Sequence, residues 1–236
     1  MKRTTRLMTV ALLLGLASPV AAGLYNDAAT AYVRGDFQTA LRILRPLAEQ
    51  GDANAQFNLG VMYKRGDGVP QNTAEAAKWY EKAAGQGYAP AQYNLASLYE
   101  KGLGVPPDYP KAAGLYRAAA EQGLAEAENN LCGMYRNGRG VSQNDAEAAK
   151  WCLRSAEHGY TIAQYNLGRM YESGDGVKQD YVAAYTWFDL AASNADAQAL
   201  TRRDFVATMM TLTQIAEARK HALDWKLESK LVKGAR

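Results

Sequence analysis

Apolar side chains recur along most of this chain at steps of 0, 4, 7 and 8 inside a block of 36 residues, first as Ala55, Leu59, Met62 and Tyr63. That spacing draws one stripe down an α-helix. The block 55–90, AQFNLGVMYKRGDGVPQNTAEAAKWYEKAAGQGYAP, recurs without gaps at 91–126, 127–162 and 163–198, so the chain can be aligned with itself. Each copy continues with Gly-x-Gly-Val, from Gly66, Gly102, Gly138 and Gly174. Glycine ends a helix there because it takes a left-handed backbone without a Cβ clash. Asn72, Asp108, Asn144 and Asp180 then stand where a second helix needs an N-cap. Glu75 and Glu147, three residues further on, predict a capping box in two copies. The second helix runs through Ala76-Ala77-Lys78-Trp79-Tyr80 to Ala84, and Gly87, Gly123 and Gly159 close it, with Ala195 in their place in the last copy.

Such a helix pair cannot bury both faces alone, so neighbours must stack and the ends must be covered. Residues 23–54 read as a shorter pair with a brief turn around Arg34-Gly35-Asp36. Residues 199–226 read as one longer capping helix, and 227–236 as a basic, frayed tail. The pattern Ala-Gln-x-Asn-Leu-Gly-x-Met-Tyr, then Gly-x-Gly-Val, then Ala-Ala-x-Trp-Tyr-x-x-Ala-Ala, resembles the Sel1-like repeat over 55–198, and the leading pair resembles a tetratricopeptide unit. The resemblance implies an all-α fold, a right-handed α-solenoid of antiparallel helix pairs whose concave side, lined by first helices, binds other proteins. Exported bacterial members resemble envelope adaptors in sensor-kinase regulation and polysaccharide export.

The N-terminus changes the picture of charge. Lys2, Arg3 and Arg6 precede an apolar run of eleven residues, Leu7 to Ala17, and Val20-Ala21-Ala22 offers small residues for cleavage. The run is shorter than the ~20 residues a bilayer span needs. We expect residues 1–22 to be a signal peptide cut after Ala22, with no cysteine directly behind it for a lipid anchor. The remainder carries 24 basic against 24 acidic residues, which removes any general attraction to nucleic acid or anionic lipid. The expected destination is the periplasm or the outside of the cell, without membrane insertion.

Chemistry adds little. Cys132 stands where the other copies have Gly60, Ala96 and Gly168, and Cys152 where they have Tyr80, Tyr116 and Phe188. A small residue on the first helix would receive an aromatic from the second; here both members are Cys. The paired change predicts a disulfide, the alternative being two buried free thiols. The Gly-x-Gly turns lack the further glycine and the Lys-Ser/Thr of phosphate loops. His158 sits at a loop position held by Gln86, Gln122 and Asn194 and reads as solvated; His221 is remote. No metal site, no cofactor site and no catalytic set emerges, and Ser-x-x-Lys and Lys-Thr-Gly are absent. Asn58, Asn94, Asn130 and Asn166 are identical in all copies, which fits a side-chain-to-backbone bond that fixes stacking better than a peptide-gripping ladder.

Specificity should then live where the copies differ. On the first helices those positions are Phe57, Val61, Lys64, Arg65, Tyr93, Ser97, Lys101, Asn129, Arg136, Tyr165 and Arg169, a mixture of rigid aromatics and cations typical of interfaces. The expected partner is another protein, or an acidic or extended peptide segment. A glycan-binding module is the second reading, from the many Tyr and Trp, and a hydrolase the third.

Overall fold

In the computed structural model, residues 19–234 are described, side chains over 23–228. Most of the predicted signal, 1–18, lies outside them. Twelve helices and no strand occur among the described residues, so the fold is the all-α, solenoid-type class read from the repeat. They form two compact units, one ending at Asp108 and one beginning at Tyr109.

The first unit holds α1 (Pro19–Val33), α2 (Phe37–Glu49), α3 (Ala53–Arg65), α4 (Thr73–Gly85) and α5 (Ala89–Lys101). In sequence order each helix packs on the next. The stripe is the core: Ala55, Leu59 and Met62 are fully buried, as are Ala76, Tyr80 and Ala83 on the facing helix. The second unit holds α6 (Tyr109–Glu121), α7 (Ala125–Asn137), α8 (Asp145–Glu157), α9 (Thr161–Ser173), α10 (Tyr181–Ala192), α11 (Ala197–Ala207) and α12 (Leu212–Gly234). Here α10 packs on α9, α11 and α12.

The turn after each first helix is built from three recurring contacts. The first glycine is left-handed, as at Gly66 (φ 77°), and the next N–H reaches back to Met62 O (3.0 Å), closing the helix in a Schellman-type cap. The N–H of the following N-cap residue donates to a tyrosine carbonyl: Asn72 to Tyr63, Asn144 to Tyr135 and Asp180 to Tyr171, each 2.9 Å. The second glycine is required by a neighbour. A Cβ on Gly176 (φ 71°) would lie 2.0 Å from Asp145 O at the start of α8, and one on Gly140 2.2 Å from Tyr109 O at the start of α6.

Some expectations need correction. Asn72 and Asn144 cap their helices through the N–H of Glu75 and Glu147 (3.0 Å each), but no capping box closes. The glutamates turn instead to Lys78 and Lys150, because the N-cap N–H is already spent on the tyrosine carbonyl. The single capping helix over 199–226 is two helices, α11 and α12, separated around Met209-Met210. Nor does the tail fray at 227: α12 runs on to Gly234, through good helix formers with no earlier breaker. Ala195 keeps the left-handed turn (φ 64°), the one non-glycine residue at positive φ among those described.

Candidate functional site

The first helices bury their stripe in the core, and the positions at which the copies differ lie beside it on the same helices. In the first unit Phe57 is half-buried, its ring centroid 5.7 Å from Tyr80 and 5.4 Å from Tyr88, so it belongs to the edge of the core. Arg65 donates to Tyr32 Oη (3.0 Å), and Tyr32 donates to the buried Asp67. That network ties α1 to the end of α3 and gives Arg65 a structural task. Burial and the hydrogen bond to Asp67 push the Tyr32 hydroxyl above its ordinary range. Val61, Tyr93 and Ser97 are half-buried. Lys64 is half-buried, with Nζ 3.5 Å from Asn94 Oδ1, while Lys101 is exposed in the last turn of α5. Burial, and then the cations of Lys101 and Arg65, hold the Lys64 ammonium below its ordinary range.

In the second unit Asn129 accepts from Asn166 Nδ2 (3.1 Å) and Arg136 is exposed. Tyr165 rests on Phe188 (centroids 5.7 Å apart) and walls an open cavity of about 500 Å³ with Ala197, Gln198, Thr201 and Arg202. Arg169 and Arg202 converge on Glu172, at 4.0 and 3.1 Å. The structure therefore joins Tyr165 and Arg169 to α11, whose residues the sequence reading missed. A signal was present. Ala199 follows Ala55, Ala91, Ala127 and Ala163 at the same step of 36, and Asp196 caps α11 as Asp52 caps α3. Helix α11 is the first helix of an incomplete fifth copy.

The asparagines are split. Asn58 and Asn94 donate to the carbonyls of Asn54 (3.0 Å) and Pro90 (2.9 Å) within their own helices, and Asn166 reaches the neighbouring first helix. The expected backbone bond exists at the first two, but it does not bridge copies.

The third copy is the exception. Cys132 and Cys152 are bonded, with Cα atoms 5.3 Å apart, and both are buried. Around them the predicted exchange holds in the first and fourth copies: a Cβ on Gly60 would lie 2.7 Å from the Tyr80 ring, and one on Gly168 2.7 Å from Phe188. His158 is no free loop residue. Its Nδ1 lies 2.7 Å from Oε2 of the fully buried Glu128, and Arg154 Nη2 is 3.2 Å from Oε1. Elsewhere this position is a glutamine that donates to a backbone carbonyl, Gln56 to Ala48 (3.1 Å) and Gln164 to Ala156 (3.2 Å). Glu128 cannot donate, and Arg154 bonds the matching Ala120 carbonyl in its stead (3.1 Å).

Among the described residues no group of three His, Cys, Asp or Glu is placed to hold a metal ion, and no helix is long and apolar enough to cross a membrane. The Sel1 repeat model matches residues 53–88, 89–124, 125–160 and 161–196, two residues ahead of the 55–90 frame. A solved Sel1 repeat protein from Oxalobacter formigenes is 33% identical, with a TM-score of 0.74, over 82% of this chain and 84% of that one. A protective antigen of uropathogenic Escherichia coli displaying an SLR fold is 29% identical, with a TM-score of 0.56, over 86% of this chain and 52% of that one. A stretch of 49 residues, 21% of this chain, is 51% identical to a chitin synthase regulator of Saccharomyces cerevisiae. The chain spans a tenth or less of the curated relatives it matches.

Proposed function

This chain belongs to the Sel1 repeat family, and from that premise we propose that it is a non-enzymatic adaptor of the bacterial cell envelope, holding another protein on its first-helix faces. Sel1 repeats are protein–protein interaction modules and a scaffold type of repeat. What carries the reading to this chain is the cavity of α9 and α11, where an aromatic wall, Tyr165, meets the donors Gln198, Thr201 and Arg202. Rigid aromatics beside arginine are the usual anchors of a protein interface. On this reading residues 1–22 are a leader and 23–54 a first stacking pair. Four repeats follow over 55–198, and the remainder covers the end.

The envelope assignment is supported by the bonded Cys132–Cys152 pair, since disulfides persist in oxidising compartments, and by the cationic and apolar start of the chain. A pathway in signalling or polysaccharide export follows from the resemblance. The test is site-directed photo-cross-linking in intact cells. A cross-linker at Thr201 should capture one defined protein, capture should weaken with Tyr165→Ala, and a cross-linker at Lys78 on α4 should capture none. Equal labelling at both sites would remove the reading. N-terminal sequencing of the exported protein should begin at Gly23.

A further inference from the structure

The first-helix face of the first unit carries an unbalanced charge. Lys64 lies in the last turn of α3, half-buried, and Lys101 in the last turn of α5. Among the described residues neither ammonium meets a carboxylate; the nearest recorded partner of Lys64 is Asn94 Oδ1, at a long 3.5 Å. The charges that bear on Lys64 are Lys101 and Arg65, both positive. Helix-end carbonyls, which often justify terminal lysines, are already engaged. Met62 O accepts from Gly66 and Asp67, and the carbonyl of Lys64 accepts from Gln71 Nε2 (3.0 Å). The fourth copy shows the opposite arrangement at the same repeat position, where Glu172 supplies a carboxylate to Arg169 and Arg202. In the first copy the sign is reversed, and no carboxylate among the described residues answers Lys64.

Resting on the adaptor reading, we infer that Lys64 and Lys101 bind a carboxylate of the partner, an acidic side chain on an extended peptide segment. The half-buried Lys64 ammonium has no counter-ion among the described residues, exposed Lys101 stands as a second cation beside it, and a partner carboxylate supplies the charge-assisted bond. Val61 and Ser97 lie one turn back from the two lysines on the same helix faces. Both are half-buried, and on this inference the extended backbone of the partner runs over them. No electron or proton transfer is involved; the complementarity is one of charge.

The test uses an end-capped, fluorescent, glutamate-rich peptide, its glutamine counterpart, and an oligosaccharide of uronic acids, titrated by anisotropy against the whole protein. The glutamate peptide should bind, weaken as salt rises, and lose about tenfold or more in affinity with K64M and with K101M. The glutamine peptide should not bind, and K150M on α8 should bind as the parent does. K64M should melt no lower than the parent, because it removes a charge that burial disfavours; K64R should retain binding if K64M misfolds. Binding that is unchanged in K64M, or absent in the parent, overturns the inference. So does a Lys64-dependent preference for the uronic acid chain over the peptide. Capture at Thr201 alongside a failed peptide titration would overturn this inference alone, leaving the adaptor reading in place.

Discussion

Reducing the Cys132–Cys152 bond should loosen one helix pair and leave the rest of the array as it was. The bond closes a loop of 20 residues, and a loop of that length is worth about 3 kcal/mol in the chain-entropy model. Both sulfurs are buried beside Ala148, Ala156 and Leu167. The thiols of the reduced protein can stay in place, and the cost reduces to the restored freedom of the unfolded loop. In a repeat protein each copy is held by itself and its neighbours, so that cost falls on opening of α7 and α8. At about 1.4 kcal/mol per factor of ten, amide protection there should drop about a hundredfold. The assay is native-state hydrogen exchange on oxidised and reduced protein, with α3 and α4 as the internal reference. C132G/C152Y, which writes the Gly60–Tyr80 arrangement into the third copy, should show no response to reductant. Unchanged protection in α7 and α8, or an equal drop in α3 and α4, would refute the reasoning.

Other perturbations separate the forces that the fold relies on. Ala195 sits at φ 64°, so Ala195→Gly should relieve the left-handed strain and stabilise by about 1 kcal/mol in urea titration, net of the greater freedom gained by the unfolded chain. Gly174→Ala and Gly176→Ala strain the same turn, but only the second drives a Cβ into a backbone carbonyl, Asp145 O. The first should cost about 1–2 kcal/mol and the second about 3 or more, and comparable losses would show that backbone strain alone matters. H158A should cost about 1 kcal/mol by leaving the buried Glu128 with Arg154 alone. E128Q/H158Q, which installs the amides of the first copy, should recover it, as a double-mutant cycle by thermal melting can show. Asp36 caps α2, and its hydrogen bonds to Thr39 hold the carboxyl below the usual range. Its stabilisation should therefore be complete above the unfolded-state carboxyl range and fade as pH falls through the lower folded value; a melting temperature that Asp36→Ala lowers equally at neutral and strongly acid pH would contradict this.

Much of the architecture was legible because the chain states it four times. The apolar stripe, the left-handed glycine and the capping Asx recur at fixed steps, and each answers a local demand that sequence alone exposes. The second glycine was harder to interpret. Its need comes from Asp145 O or Tyr109 O, backbone atoms far away in sequence that carry no side-chain signature. The capping box failed for a related reason: the sequence offers Glu75 a partner, and only the fold shows that Tyr63 O has already taken it. At the C-terminal end Arg203, at the fifth place of the stripe, hid the continuing register from a search for apolar residues. Arg203 bonds Asp189 (3.0 Å) on α10 instead of filling a core.

The variable positions of the first helices could be read from the sequence, but not the neighbour that each side chain meets, and the reason is physical. Differences between copies mark positions free of the common packing rules, but a residue can be freed for a partner or for its own neighbour. Phe57 packs on Tyr80, Arg65 bonds Tyr32 and Asn129 bonds Asn166, each a neighbour within the chain. The third copy shows how such departures are kept safe. Gly and aromatic became Cys and Cys together, and Gln with Gln became Glu with His, joined by Arg154. In both places a lost contact is met by a matching change within hydrogen-bond or covalent reach. Lys64 and Lys101 break that pattern, since no carboxylate among the described residues answers them. On the inference drawn above, half-buried Lys64 and exposed Lys101 are answered by an acidic side chain of the partner.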